Sequence, residues 1–191
     1  MPQRLLRNST IKVAEALQRA ISEVASLRKG VLTSDFILMA LIEQKDSIVL
    51  KIFDELKLDT PTLRRKIVDR ILEQYSSDPD IRMDALPLAM QVSQDVLILF
   101  ERADKERKAL GDTYISTVAL FLACFHTGLN TKKVLNSFKL DYAKVLEALT
   151  AIRGTVKITE KDSESRASLL DEYTVDITAL ARKGSLDPVI G

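Results

Sequence analysis

The residues suited to chemistry are few. His126 is the single histidine and Cys124 the single cysteine in 191 residues. A general base needs a nucleophile in hydrogen-bond reach and a third group to orient it; no such set accompanies His126, which reads as a helix-end residue. Cys124 lies inside the apolar run 118–125, where nothing adjacent lowers a thiol pKa, so it reads as a small buried hydrophobe. One histidine and one cysteine cannot assemble a structural zinc site. A phosphate loop of the form G-x-x-x-x-G-K-[ST] is absent, as is a G-x-S-x-G elbow, so the chain encodes neither a backbone cradle for nucleotide phosphates nor a hydrolase nucleophile. Glu101, Arg102, Asp104, Lys105, Glu106, Arg107 and Lys108 have the three- and four-residue spacing of a solvated helix face. Arg64-Arg65-Lys66 is offset by Asp59, Asp69 and Glu73, and 28 Lys+Arg stand against 27 Asp+Glu overall, which argues against nucleic acid as a partner. With catalysis unsupported, binding of other chains is the default reading.

The longest apolar runs, 36–42 and 118–125, fall far short of the roughly 18 residues that span a bilayer. No membrane association is expected. The charged start, Met1-Pro2-Gln3-Arg4-Leu5-Leu6-Arg7, lacks the apolar stretch of a secretory signal, and a lone cysteine suits a reducing compartment, so a soluble, cytoplasmic protein is expected.

The elements that must position any binding surface are helices. Val13, Ala16, Leu17, Ala20, Val24 and Leu27 recur at helical steps over 10–29, with Gly30 as the stop. Thr33 caps a second helix whose residues 36–41 are apolar almost all round, so that helix must be buried. Asp46 or Ser47 opens a third, and Thr60-Pro61 supplies an N-cap with proline in the first turn of a fourth, which turns Leu63, Ile67, Ile71 and Leu72 inward. A loop is expected between Tyr75 and Met90. Ser93 then caps a long helix with Val96, Leu97, Leu99, Phe100 and Ala103 on its apolar side and Gly111 at its end. Ser116 caps the apolar run 118–125, a short helix follows near 131–138, and Asp141 caps 142–152.

The second half repeats the first. Leu56-Lys57-Leu58-Asp59 corresponds to Phe138-Lys139-Leu140-Asp141, and Thr33 and Ser116 each precede a nearly wholly apolar helix. A period near 80 residues is too long for a solenoid unit. The expectation is an all-α fold of two tandem, pseudo-twofold-related four-helix repeats, about eight helices, with repeat one over about 10–74, repeat two over about 92–152, and a groove where the two bundles abut. From Gly154 to Asp176 three basic residues face six acidic ones with little periodicity, which is the composition of a linker, placed at 153–168.

The string Asp171-Glu172-Tyr173-Thr174-Val175-Asp176-Ile177-Thr178, followed by Gly184-Ser185-Leu186-Asp187-Pro188-Val189-Ile190-Gly191, resembles the junction leading into the first nucleotide-binding domain of Clp-type AAA+ ATPases. The upstream duplication resembles the double Clp amino-terminal repeat, with Thr10-Ile11-Lys12 opening its first helix. Gly111-Asp112-Thr113-Tyr114-Ile115-Ser116, Arg153-Gly154 and Val156-Lys157-Ile158-Thr159 are most similar to the disaggregase branch, ClpB. The resemblance implies a Clp repeat domain over 1–152, and the start of an AAA+ domain over 169–191. It implies a substrate-engaging domain on a homohexameric ATPase that threads unfolded or aggregated proteins with a DnaK-type chaperone system. These residues alone would hold no cofactor and carry no enzyme activity, ATP being used by the full-length protein. Thr10 and Asp112 match polar surface positions for substrate handling, Leu99, Phe100 and Ala119 fall where a hydrophobic groove would lie, and Val189 and Ile190 would flank the adenine in the intact protein. The family's usual Glu six residues after that Asp is Val118 here. Two alternatives stand beside this reading: a ClpC- or ClpA-like unfoldase domain that receives adaptors for a protease, and a free-standing helical binding module.

Overall fold

The computed structural model describes residues 5–76, 91–154, 156–162 and 164. Among them are eight helices: α1 (Ile11–Ser26), α2 (Ser34–Glu43), α3 (Ile48–Glu55), α4 (Thr60–Tyr75), α5 (Gln94–Leu110), α6 (Thr117–Ala123), α7 (Asn130–Ser137) and α8 (Tyr142–Arg153). The fold is all-α, as expected. Nothing in the sequence pattern announces two short strands, β1 (Val31–Leu32) and β2 (Gln91–Val92), which pair in parallel.

Helix ends follow local chemistry. The hydroxyls of Thr10, Ser47 and Ser116 and the carboxylates of Asp59 and Asp141 each accept a backbone N–H of the first turn. The cap of α4 is therefore Asp59 rather than Thr60, with Pro61 within the first turn, because a carboxylate one residue earlier reaches the Thr62 N–H. Helix α1 stops at Ser26, ahead of Gly30, with Arg28 turned to a φ of 57°. Thr33 and Ser93 occupy cap positions, but their hydroxyls bond elsewhere.

The duplication extends to the backbone. Lys57 and Lys139, the matching lysines of the two Lys-apolar-Asp turns, both adopt left-handed φ values, 60° and 65°. Thr10 and Ser93, like Thr33 and Ser116, stand 83 residues apart.

The halves do not form two bundles that abut, however; they interleave. Helix α1 packs on α2 and α5 on α6 within each half, while α8 packs against α3 and α4 against α7 across the halves. Phe53 of α3 meets Phe121 of α6 edge-on at 5.9 Å between ring centroids, and Phe121 meets Phe125 at 5.5 Å. One continuous core runs from Val13 to Leu149. The strand pairing crosses the halves too. Ser93 N–H donates to the Leu32 carbonyl at 3.0 Å, and its counterpart, Thr10 N–H, donates to the Ile115 carbonyl at 2.9 Å beside a parallel bridge between Ser9 and Ile115. Each half thus supplies the chain that precedes its first helix to the chain that precedes the other half's apolar helix.

The two lysine turns generate a prediction. An L-residue in the left-handed region costs about 1–2 kcal/mol, of which glycine's extra unfolded-state freedom takes back about 0.5–1. Lys57→Gly and Lys139→Gly should each raise the free energy of unfolding by about 0.5–1 kcal/mol in urea titrations, whereas the same change at the helical Lys51 should lower it.

Candidate functional site

Cys124 and His126 lie at the C-terminal end of α6. Cys124 is fully buried, and burial pushes its thiol well above the ordinary range. His126 follows α6 and its backbone N–H donates to the Ala123 carbonyl.

Asp35 is a buried carboxylate at the junction of three helices. Tyr75 OH donates to it at 2.6 Å, Asn130 Nδ2 donates at 3.1 and 3.2 Å, and the Thr33 hydroxyl completes the Tyr75 oxygen at 2.8 Å. Asn130 also reaches Gln74 Oε1 at 2.8 Å, so the cluster ties α2 and α4 of the first half to α7 of the second. Burial raises the Asp35 pKa against the lowering effect of its Tyr75 and Asn130 bonds, and burial first, then Asp35, raises that of Tyr75. Every member has a partner, and the cluster reads as a seam between helices.

An open cleft of about 640 Å³ lies between the residues preceding α1 and the outer side of α5. Leu5, Leu97, Phe100 and Ile115 supply its apolar wall, and Arg7, Asn8, Glu101 and Asp104 its polar rim. Helix periodicity explains the division along α5. Val96, Leu99 and Ala103 share the core-facing stripe, Leu97, Glu101 and Asp104 share the next one, and Phe100 sits at the boundary. The Arg107 hydrogen bond at 2.7 Å holds the Asp104 carboxyl below the usual range, so the rim stays charged.

Of the residues anticipated for a groove, Phe100 lines this cleft. Leu99 and Ala119 do not: both are wholly buried in the core that the interleaved halves share. Leu5, Leu97 and Ile115 were missed as lining; Leu97 belongs to the apolar set of α5, whereas Leu5 and Ile115 join it only through chain pairing beside Ser9.

Thr10 and Asp112 are not open surface positions either; they are 1% and 4% exposed. What covers them is the segment with linker composition, which lies as a strap against the bundle. Ile158 N–H donates to Asp112 Oδ1 at 2.9 Å, Arg153 forms an ion pair with the same oxygen, and Thr113 N–H donates to the Ile158 carbonyl at 2.7 Å. Lys157 Nζ donates to the Leu110 carbonyl at 2.8 Å, passing close to Gly111, which ends α5 at a φ of 76°. Ile11 N–H donates to the Lys161 carbonyl at 2.8 Å. Thr10 Oγ1 donates to Glu164 Oε1 at 2.6 Å. Val118 lies beside Glu164 at a cavity of about 20 Å³, next to the strap's Val156 and Ile158. Val189 and Ile190 lie outside the described residues, as do positions 77–90 of the stretch where a loop is expected and the segment 169–191 read as the start of an AAA+ domain.

Residues 8–138 match the family described as the Clp repeat (R) N-terminal domain. The chain belongs to that family. Chaperone protein ClpB of Gloeobacter violaceus is 31% identical to this Clp repeat domain over 182 residues, covering 95% of this chain and 20% of the relative. ClpB 1 of a Synechocystis species is 34% identical over 170 residues, 88% of this chain and 18% of the relative. The chain therefore spans about a fifth of the length of these relatives. The Hsp104 N-terminal domain of Candida albicans superposes with a TM-score of 0.69 at 14% identity, covering 83% of this chain and 99% of that one. The ClpD N-terminal domain of Arabidopsis thaliana gives 0.51 at 18% identity, with 77% and 99% covered. Both share the fold of this Clp repeat domain.

The Asp35 cluster predicts a pH signature. Because its folded pKa lies above 3.8, the native state binds more protons than the unfolded chain, so this group's contribution is largest at low pH and falls as pH rises through the folded pKa. In urea unfolding from pH 4 to 7, the wild type should lose stability relative to Asp35→Asn as pH rises; parallel curves would contradict the assignment.

Proposed function

We propose that this Clp repeat domain engages exposed apolar segments of unfolded or aggregated proteins in the cleft beside α5, as the substrate-receiving part of a ClpB-like disaggregase. The observation that supports it is the cleft: an open hollow rimmed by charge, where half-buried Leu5 and Leu97 stand beside the buried Phe100 and Ile115. Burial there contributes about 25 cal/mol per Å² without directional preference, and the cost of association leaves only a modest surplus. Weak, sequence-tolerant binding suits a domain that must meet many different chains. By its resemblance to ClpB, the proposal extends to a longer protein that binds ATP, forms a homohexamer, works with a DnaK-type system and resides in the cytoplasm, with Val189 and Ile190 beside the adenine. No described helix is long and apolar enough to cross a membrane.

The fold shared with the ClpD domain supports a second reading, an adaptor-receiving domain of a protease-linked unfoldase. A long coiled-coil insertion downstream marks the first, and a protease-docking loop in a second ATPase domain marks the other.

The cleft is tested by titrating the chain against fluorescein-labelled unfolded casein. Leu5 and Leu97 are half-buried, so Leu5→Ser and Leu97→Ser should each weaken binding about fivefold, the equivalent of about 1 kcal/mol, with little loss of stability. Leu99→Ser should instead cost about 3 kcal/mol of folding stability. Unchanged binding by folded Leu5→Ser and Leu97→Ser variants would remove the cleft as the site.

A further inference from the structure

The bundle's pseudo-symmetry is broken at one carboxylate. In the second half Asp95, two residues after the cap position of α5, turns toward the first residue of α2: Ser34 N–H donates to Asp95 Oδ2 at 3.2 Å, Ser34 Oγ at 2.6 Å, and the Ser93 hydroxyl donates to Asp95 Oδ1. The position 83 residues earlier, two after the Thr10 cap of α1, is Lys12. An ammonium has no acceptor, so the first half cannot complete the matching site at Thr117, the first residue of α6. Glu164 completes it. Thr117 N–H donates to Glu164 Oε2 at 2.9 Å, the Thr117 hydroxyl donates to the same oxygen, and Thr10 Oγ1 donates to Oε1. The three contacts of Asp95 with Ser93 and Ser34 are reproduced, atom type for atom type, by a residue 154 positions from Thr10.

We propose that residues 156–162 together with Glu164 form a releasable latch: the carboxylate that position 12 lacks is borrowed from the strap, so the strap opens and closes without unfolding the bundle. Three features make the closed state shallow. The Glu164 carboxyl is buried, Asp112 Oδ2 is buried without a hydrogen-bond partner, and the small cavity beside Val118 leaves the strap imperfectly packed. Ile158 and Glu164 are buried but lie outside the contiguous apolar cluster that runs from Val13 to Leu149. Opening uncovers Thr10 and Asp112. It also frees the chain from Gly154 onward, adding about ten residues, roughly 35 Å when extended, to the tether between the bundle and residues 165–191. This inference goes beyond the cleft reading and holds whatever the cleft binds.

The test is native-state amide exchange on the 191-residue chain, comparing wild type, Glu164→Ala and Lys12→Asp. The informative amides are those of Ile11 and Thr113, whose acceptors are strap carbonyls, and Thr117, whose acceptor is Glu164. In the wild type, Ile11 and Thr113 should exchange at least about tenfold faster than the core amide of Leu120, reporting opening below the global unfolding cost. Glu164→Ala should speed all three by about a further tenfold and leave Leu120 unchanged. Lys12→Asp gives α1 the equivalent of Asp95, so Ile11 and Thr113 should be released while Thr117 stays protected. Exchange of Ile11 and Thr113 at the core rate in the wild type, or strap protection that survives Lys12→Asp, would overturn the latch. Should Glu164→Ala unfold the bundle, the latch is equally overturned, because the strap would then be part of the core.

Discussion

Everything in this fold answers to two helices that are apolar on every side. Nine of the ten residues of α2, Ser34 to Ile42, are buried, and so are all seven of α6. A helix of that kind has no solvent face and must be enclosed from all directions. Within its own half each has one long partner, α1 or α5, and that covers a single side. The remaining sides are closed by the other half: α7 lies on α2 and α3 on α6. Interleaving is thus the consequence of local composition, and the parallel strand pairs and the Asp35 seam are the polar fittings that hold the exchanged segments in register.

Outside that enclosure, the outer stripe of α5 and the chain that leads into α1 bound an open cleft. The core takes Val96, Leu99 and Ala103, and the adjacent stripe, with Leu97 and the edge of Phe100, faces the chain that leads into α1. The same pseudo-symmetry that builds the core exposes what is unusual in this chain, a lysine at position 12 where the other half carries Asp95. A site completed by a residue far along the chain couples the bundle to the segment that leaves it.

Much of the architecture was legible in the sequence because helices are local objects. The 3.6-residue spacing of Val13, Ala16, Leu17 and Ala20, the apolar run before Gln44, and the matching Lys-apolar-Asp turns all survive in the structure. The misreadings share one cause, which is long-range pairing. Thr33 looks like a side-chain cap, but its hydroxyl goes to Tyr75, 42 residues away. Leu99 and Ala119 look like groove residues so long as the halves are taken as separate bundles, and Thr10 and Asp112 look exposed until the strap is laid over them. Two-residue strands carry no periodicity by which to be seen, and an acidic, aperiodic segment has the composition of a free linker whether or not one of its carboxylates is docked.

The proposed function rests on one face of α5, and no other surface, receiving apolar segments of other chains. Methyl chemical-shift mapping during titration with an unfolded protein reads that face residue by residue. Progressive shifts are expected for the methyls of Leu5, Leu97 and Ile115, with those of the enclosed Leu38 and Leu120 and the exposed Val31 unmoved. Shifts centred on Val31, or spread evenly over the domain with the cleft methyls silent, would contradict it.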